Sequence, residues 1–236
     1  MKSKFYFILI FLVSCVACSK KNTLENPTLI QSLEQVWTAP QTAQKQLQQI
    51  AYDQLNTYEQ HRYALAEAHV QLKLYSTIPP HISTNDLAWY FLAQGDAASA
   101  SEAYYIQGAY LNWLGKNTQA MQYLKEAENL ATTPIIRGMT YYKMGRISES
   151  EQLYDIALEN YQKALPHLIE ADVPLYLASV YRELGRMSDI SSRDSFFYKA
   201  LEQAQVYGDT ILYLDIRHAP LSADQSHTPE IAQICQ

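Results

Sequence analysis

The chain has 236 residues, of which 48% are hydrophobic and 18% are charged, so it can bury a sizeable core and is not compositionally disordered. Its 24 acidic and 18 basic side chains give a formal net charge of −6. This charge disfavours binding to nucleic acid, because duplex affinity comes largely from Lys and Arg side chains that neutralise phosphates. We therefore expect no nucleic-acid partner.

The first 18 residues have the features of an export signal. Two lysines precede an apolar run over residues 5–13, which is too short to cross a bilayer, since a spanning helix needs roughly 20 residues. The sequence LVSC at the end of this run resembles the lipobox of bacterial lipoproteins, and the resemblance implies acylation of Cys15. The overlapping sequence CVAC would instead place the lipid on Cys18, and both cysteines remain candidates. Residues 19–26 form a short polar linker.

An acylated N-terminus would hold the protein at a membrane without spanning it, because several acyl chains anchor stably where one binds marginally. We expect a lipid-anchored protein of the cell envelope, at the periplasmic face of either the inner or the outer membrane. The third cysteine, Cys235, lies at the C-terminal tip, so no internal disulfide framework is available. Packing must therefore hold the fold together.

Helical patterns fill residues 27–97. Asn26 and Pro27 favour a helix start, because Asn accepts a hydrogen bond from a first-turn N–H group and Pro suits the first helical turn. Three further helical stretches follow, TAQKQLQQIAYDQL, HRYALAEAHVQLKLY and TNDLAWYFLAQ. We interpret this region as N-terminal helical hairpins.

Within residues 98–208, glycines recur at the ends of apolar stretches. Gly115, Gly145 and Gly185 each follow an apolar helical stretch and precede a basic residue, as in NWLGK, YKMGR and RELGR. Because a residue without Cβ can end a helix in the left-handed conformation, these glycines are predicted to be helix stops, together with Gly95 and Gly208.

The helix after each predicted stop alternates small and large residues on one face. The residues concerned are Ala120, Leu124 and Ala127 after Gly115, Ser150, Tyr154 and Ala157 at the same offsets after Gly145, and Phe197 and Ala200 after Gly185 with three extra residues. After Gly145, a capping box of Ser148 and Glu151 predicts a helix that runs from Glu149 towards Leu165. Pro166 is expected to break or kink this helix.

The order of small residue, Tyr, Gly, Ala, aromatic residue and Ala resembles the tetratricopeptide repeat, a 34-residue helix-turn-helix unit. The match covers about residues 101–207, with Tyr104 in place of the early Trp and glycine intervals of 20, 30 and 40 residues. The resemblance implies an all-α, tetratricopeptide-like α-solenoid of about five helical hairpins. The chain looks like the tetratricopeptide lipoproteins of Gram-negative bacteria, whose repeats continue into further C-terminal segments. We therefore expect a truncated relative with a tail over residues 209–236.

The sequence contains no signature of an enzyme. It has no HExxH, P-loop, GxSxG or dinucleotide-binding glycine motif, and CxxC occurs only as Cys15 and Cys18. His61 and His69 are eight residues apart, about 12 Å along a helix, which is too far to share a metal ion. We therefore expect neither catalysis, nor a metal, nor a cofactor.

In the family, the first helix of each hairpin lines a concave groove. The corresponding positions here are Tyr105, Ala109, Asn112 and Trp113, then Ile135, Met139, Tyr142 and Lys143, then Leu175, Ser179, Arg182 and Glu183. Tyr, Trp and Arg are enriched in binding hot spots. The expected function is a membrane-anchored, non-enzymatic scaffold that binds a protein or peptide partner in this groove. The alternative is a glycan or nutrient capture lipoprotein associated with an outer-membrane transporter.

Overall fold

The structure is a computed structural model that describes residues 23–208 and Ile216. This part of the chain is helical and contains no β-strand, which confirms the all-α class. Cys15, Cys18, Cys235 and nearly all of the tail lie outside the described residues. Within them, no helix combines the length and the apolar character that crossing a membrane requires.

The described residues form ten α-helices and one short 3-10 helix. The α-helices are α1 (Pro27–Gln35), α2 (Pro40–Leu47), α3 (Thr57–Lys73), α4 (Thr84–Ala93), α5 (Ala97–Trp113), α6 (Asn117–Leu130), α7 (Pro134–Ser150), α8 (Tyr154–Glu170), α9 (Pro174–Met187) and α10 (Ile190–Tyr207). The 3-10 helix spans Tyr52–Gln54. The chain divides into two compact units, one that ends at Ile78 and one that begins at Pro79.

The first unit contains α1, α2 and α3, which pack on one another. Asn26 caps α1, since its side chain accepts the Leu29 N–H at 2.9 Å, and Pro27 occupies the first turn as its sequence position predicts. The apolar faces of the helices meet in one cluster, which consists of Leu29, Val36, Ala43, Leu47, Leu55, Ala66 and Val70.

Within this first unit, a buried carboxylate joins the start of α1 to the start of α3. Glu59 Oε1 accepts the backbone N–H groups of Glu25 and Asn26 at 2.8 and 2.7 Å, and its Oε2 accepts the N–H of Asn56 at 3.1 Å. Burial alone would raise the pKa of Glu59, but these three backbone donors outweigh it and hold the pKa below its ordinary value. The ionised carboxylate therefore fixes the start of α1 to the start of α3.

The second unit begins with α4, which packs on α5. Three helical hairpins follow, α5 with α6, α7 with α8 and α9 with α10, and α6 and α8 each also contact the helix that comes next in the chain. The predicted small residues Ala120, Ala127 and Ala157 are fully buried, and so are Phe197 and Ala200 in the last hairpin, where Ile216 joins the same core cluster.

Gly95, Gly115 and Gly208 have positive φ values of 73, 74 and 80°, so their prediction as helix stops is confirmed. The same prediction is wrong for Gly145 and Gly185, which lie inside α7 and α9.

The middle hairpin therefore turns later than expected. Helix α7 continues to Ser150, the left-handed residue in the turn is Gln152 with φ 62°, and α8 begins at Tyr154 rather than Glu149. Ser148 is buried inside α7 and does not cap a helix start. Pro166 does not break α8, which continues to Glu170.

Gly145, one of the two misassigned glycines, is a site of close helix approach, and so is Gly138 on the same helix. A Cβ atom on Gly145 would lie 2.6 Å from Tyr161 Cε1, and one on Gly138 would lie 2.7 Å from Leu168 Cγ. In the first hairpin Gly108 meets Leu124 in the same way, at 2.7 Å. The expected match of Tyr154 to Leu124 was therefore wrong by seven residues: Tyr154 is 59% exposed, and Tyr161 is buried in its place.

We predict that Gly145→Ala destabilises the protein by about 1 to 3 kcal/mol, because the added methyl group overpacks the Tyr161 ring. Gly185→Ala is the matched control: its Cβ would lie 3.2 Å from Phe197, and the gain in helix propensity of about 1 kcal/mol offsets a milder clash. Urea denaturation of both variants measures the difference. Equal stabilisation by the two changes would contradict a close contact at Gly145.

Candidate functional site

The predicted groove residues of α5 divide between the core and the surface. Tyr105 and Ala109 are buried in the fold, so they pack between helices. Asn112 is partly exposed and donates to Asn117 Oδ1 at 3.0 Å, and Trp113 is 47% exposed. The surface positions of this set therefore lie at the C-terminal end of α5.

The end of α5 lies beside the end of α7. Asn117, which accepts from Asn112, donates to Glu151 Oε1 at 2.6 Å, directly after the last residue of α7. Arg146 lies about one helical turn before this contact on α7. The C-terminal ends of α5 and α7 are therefore joined through Asn117.

In α7 and α9, the predicted residues are placed around a group of charges. Met139 is buried and Tyr142 nearly so, whereas Lys143, Ser179 and Arg182 are partly exposed and Glu183 is fully buried. The Ser179 hydroxyl donates to the Leu175 carbonyl of its own helix at 3.0 Å. Together with residues from α7 and α8 they form what we call the arginine cluster, which consists of Tyr142, Lys143, Arg146, Glu149, Tyr161, Arg182, Glu183 and Arg186.

Glu183 is the centre of the arginine cluster. Its Oε1 accepts from Arg182 Nη2 at 2.6 Å and its Oε2 accepts from Arg186 Nη1 at 2.6 Å. Arg146 reaches across from α7, with its Nη1 3.9 Å from Glu183 Oε1. A buried carboxylate requires such partners, because an unpaired charge in the interior is costly.

Glu149 connects three helices within the arginine cluster. Its Oε2 accepts the Tyr161 hydroxyl of α8 at 2.8 Å, and its Oε1 lies 3.2 Å from Arg186 Nη1 of α9. Burial of Tyr161, followed by its hydrogen bond to Glu149, raises the pKa of the phenol. Tyr161 therefore stays protonated and remains a donor to the carboxylate.

Lys143 is the cation that the two glutamates do not neutralise. It lies one turn from Arg146 on the same helix, and among the described residues no carboxylate lies within ion-pair distance of its Nζ. Desolvation, followed by repulsion from Arg146, lowers the pKa of Lys143 to about 8. The arginine cluster thus contains four cationic side chains and two carboxylates, in a chain whose formal net charge is −6.

Four members of the cluster, Arg146, Glu149, Tyr161 and Arg186, were not among the predicted site residues. Arg146 and Arg186 directly follow Gly145 and Gly185, which were interpreted as helix stops, so these arginines were assigned to turns. The recurring sequences MGR and LGR were the signal that could have identified them. Each arginine lies four residues after a predicted groove position, Tyr142 or Arg182, and therefore on the same helical face.

Comparison of the chain with protein-family models, curated proteins and solved structures gives no match. The described residues contain no group of His, Cys, Asp and Glu side chains that could hold a metal ion. What the arrangement offers chemically is a fixed set of hydrogen-bond donors with a surplus of positive charge.

We predict that Glu183→Gln destabilises the protein by about 2 kcal/mol or more, because it removes the buried counter-charge of Arg182 and Arg186. The control is Glu159→Gln, which breaks the 2.6 Å pair of Glu159 and Lys163 on the exposed side of α8. Exposed pairs contribute little, so the control should unfold like the parent in urea. Similar midpoints for Glu183→Gln and the parent would show that the buried carboxylate is not needed for folding.

Proposed function

We propose that this protein is a membrane-anchored, non-enzymatic scaffold with tetratricopeptide-like hairpins. It binds a protein or peptide partner along the first helix of each hairpin, which is α5, α7 or α9. The observation that carries the proposal is the arginine cluster. Its cations extend along the faces of α7 and α9 that contain the predicted groove positions. The buried Glu183 and the partly exposed Glu149 hold the arginines in place. Such preorganisation lowers the entropy cost of binding.

The exposure of the cations supports this proposal. The side chains of Arg146 and Arg186 are 47% and 54% exposed, and that of Arg182 is 22% exposed, so a partner can reach all three. Trp113 adds a large exposed aromatic surface near the end of α5. Arg and Trp are residue types on which interfaces concentrate binding energy. A cluster rich in cations favours a peptide with acidic groups over a neutral glycan.

Photo-crosslinking in cells tests the proposed binding surface. A photoreactive residue at Trp113 should capture one discrete protein, and the same residue at Ile156 should not. The two positions are equally exposed, at 47%, but Ile156 lies on the second helix of its hairpin. Capture at Trp113 should be lost in Arg146→Glu. Equal capture from both positions, or no capture by a folded protein, would contradict the proposal.

The proposed anchor is a lipid on Cys15 or Cys18, in the part of the sequence that resembles a lipobox. Fatty-acid labelling of Cys15→Ala and Cys18→Ala should show one variant that loses the label, because only the first residue of a mature lipoprotein is acylated. Cys235→Ala should keep the label. Retention of the label by both single variants, or its absence from the parent, would refute acylation at these positions.

A further inference from the structure

We infer that Lys143 and Arg146 form a subsite for a carboxylate group of the bound peptide. The inference rests on the proposed function, which it extends by naming the chemical group that the arginine cluster recognises. Lys143 and Arg146 lie three residues apart on α7, so their side chains project from neighbouring positions on one face.

The hydrogen bonds within the arginine cluster leave its positive surplus on these two residues. Both oxygens of Glu183 are engaged at short range, Oε1 by Arg182 at 2.6 and 3.1 Å and Oε2 by Arg186 at 2.6 Å. Both oxygens of Glu149 are also engaged, by Tyr161 at 2.8 Å and by Arg186 at 3.2 Å. Neither glutamate makes a contact shorter than 3.9 Å with the cations of α7.

Arg146 is held only by long contacts. Its Nη1 is 3.9 Å from Glu183 Oε1, its Nε is 4.0 Å from Glu149 Oε2, and it donates to the Tyr142 hydroxyl at 3.4 Å. Charge-assisted bonds to guanidinium groups are usually about 2.7–2.9 Å long. The Arg146 guanidinium can therefore take an additional acceptor at full strength without breaking a short bond.

Lys143 provides the second donor. Its ammonium group is partly desolvated and repelled by Arg146, which together lower its pKa to about 8. An anion between the two side chains would reduce this repulsion and satisfy donors on both. The amine is still mainly protonated at pH 7, so both cations are present for binding.

The chemistry of the subsite favours a carboxylate over a phosphate dianion. Carboxylates and phosphates can both accept two parallel hydrogen bonds from a guanidinium, so the charge of the anion decides between them. The single charge of a carboxylate is less costly to desolvate beside the partly buried Lys143 than a double charge. In a peptide, the carboxylate can come from an Asp or Glu side chain or from the C-terminus.

The titration of Lys143 tests the subsite. Reductive methylation with ¹³C-formaldehyde keeps the charge of each lysine and makes it visible by NMR, and Lys143→Gln identifies the signal. The experiment uses the full chain in detergent micelles. Saturating acetate should raise the titration midpoint of the Lys143 amine by about one pH unit relative to chloride at the same ionic strength. Lys125, which is exposed and paired with Glu128, is the internal control and should respond equally to both salts.

Arg146→Gln separates the subsite from a general salt effect. The midpoint of Lys143 should rise without acetate, because a repelling charge is removed, and its response to acetate should fall. An acetate effect no larger than that of chloride would overturn the inference. A larger effect of inorganic phosphate than of acetate at the same concentration would overturn the assignment to a carboxylate.

Two peptides identify the source of the carboxylate. Acetyl-Ala-Ala-Asp-amide has only a side-chain carboxylate, and acetyl-Ala-Ala-Ala has only a terminal one. The peptide that reproduces the acetate effect at lower concentration defines the source, and failure of both would overturn recognition of a peptide carboxylate. This readout is independent of capture at Trp113, so the subsite and the proposed scaffold function can fail separately.

Discussion

The absence of a side chain at Gly145 determines how the second unit is arranged around its charges. Without a Cβ atom there, the Tyr161 ring packs directly against the backbone of α7. From that position the Tyr161 hydroxyl reaches Glu149, and Glu149 in turn reaches Arg186 on α9. One close helix contact thus connects hairpin packing to the charged residues that join neighbouring hairpins.

Stability alone does not account for the arginine cluster, on electrostatic grounds. Burying a carboxylate such as Glu183 has a desolvation cost that can exceed the attraction of its partners, and apolar residues of similar volume often stabilise a protein as well or better. The cluster also keeps Lys143 beside Arg146, where the two cations repel each other. An arrangement that costs free energy in the unbound protein is one that binding of an anion can improve.

The helix class and much of the packing could be predicted from the sequence, because small residues such as Ala120 and Ala127 recur at helical spacing and are buried as expected. The register of the middle hairpin, α7 with α8, could not be predicted from the sequence. Gly138 and Gly145 are seven residues apart, about two helical turns, so shifting the repeat alignment by seven residues leaves every residue on the same helical face. A glycine after an apolar stretch also looks the same whether it ends a helix or admits a neighbouring ring. The ion pairs of Arg146 and Arg186 depend on that register, so they could not be predicted either.

The position of the proposed subsite implies that ligand binding and hairpin packing are coupled. Lys143, Arg146 and Glu149 lie on α7, Tyr161 on α8, and Glu183 and Arg186 on α9, so the charges that would meet the ligand also join these helices. An anion that neutralises the surplus on α7 lowers the repulsion between the arginines of α7 and α9 when these helices are packed. By thermodynamic reciprocity, whatever tightens this packing also strengthens anion binding. Gly145 directly precedes Arg146 but faces the Tyr161 ring, so a substitution there would weaken binding through Tyr161 and Glu149.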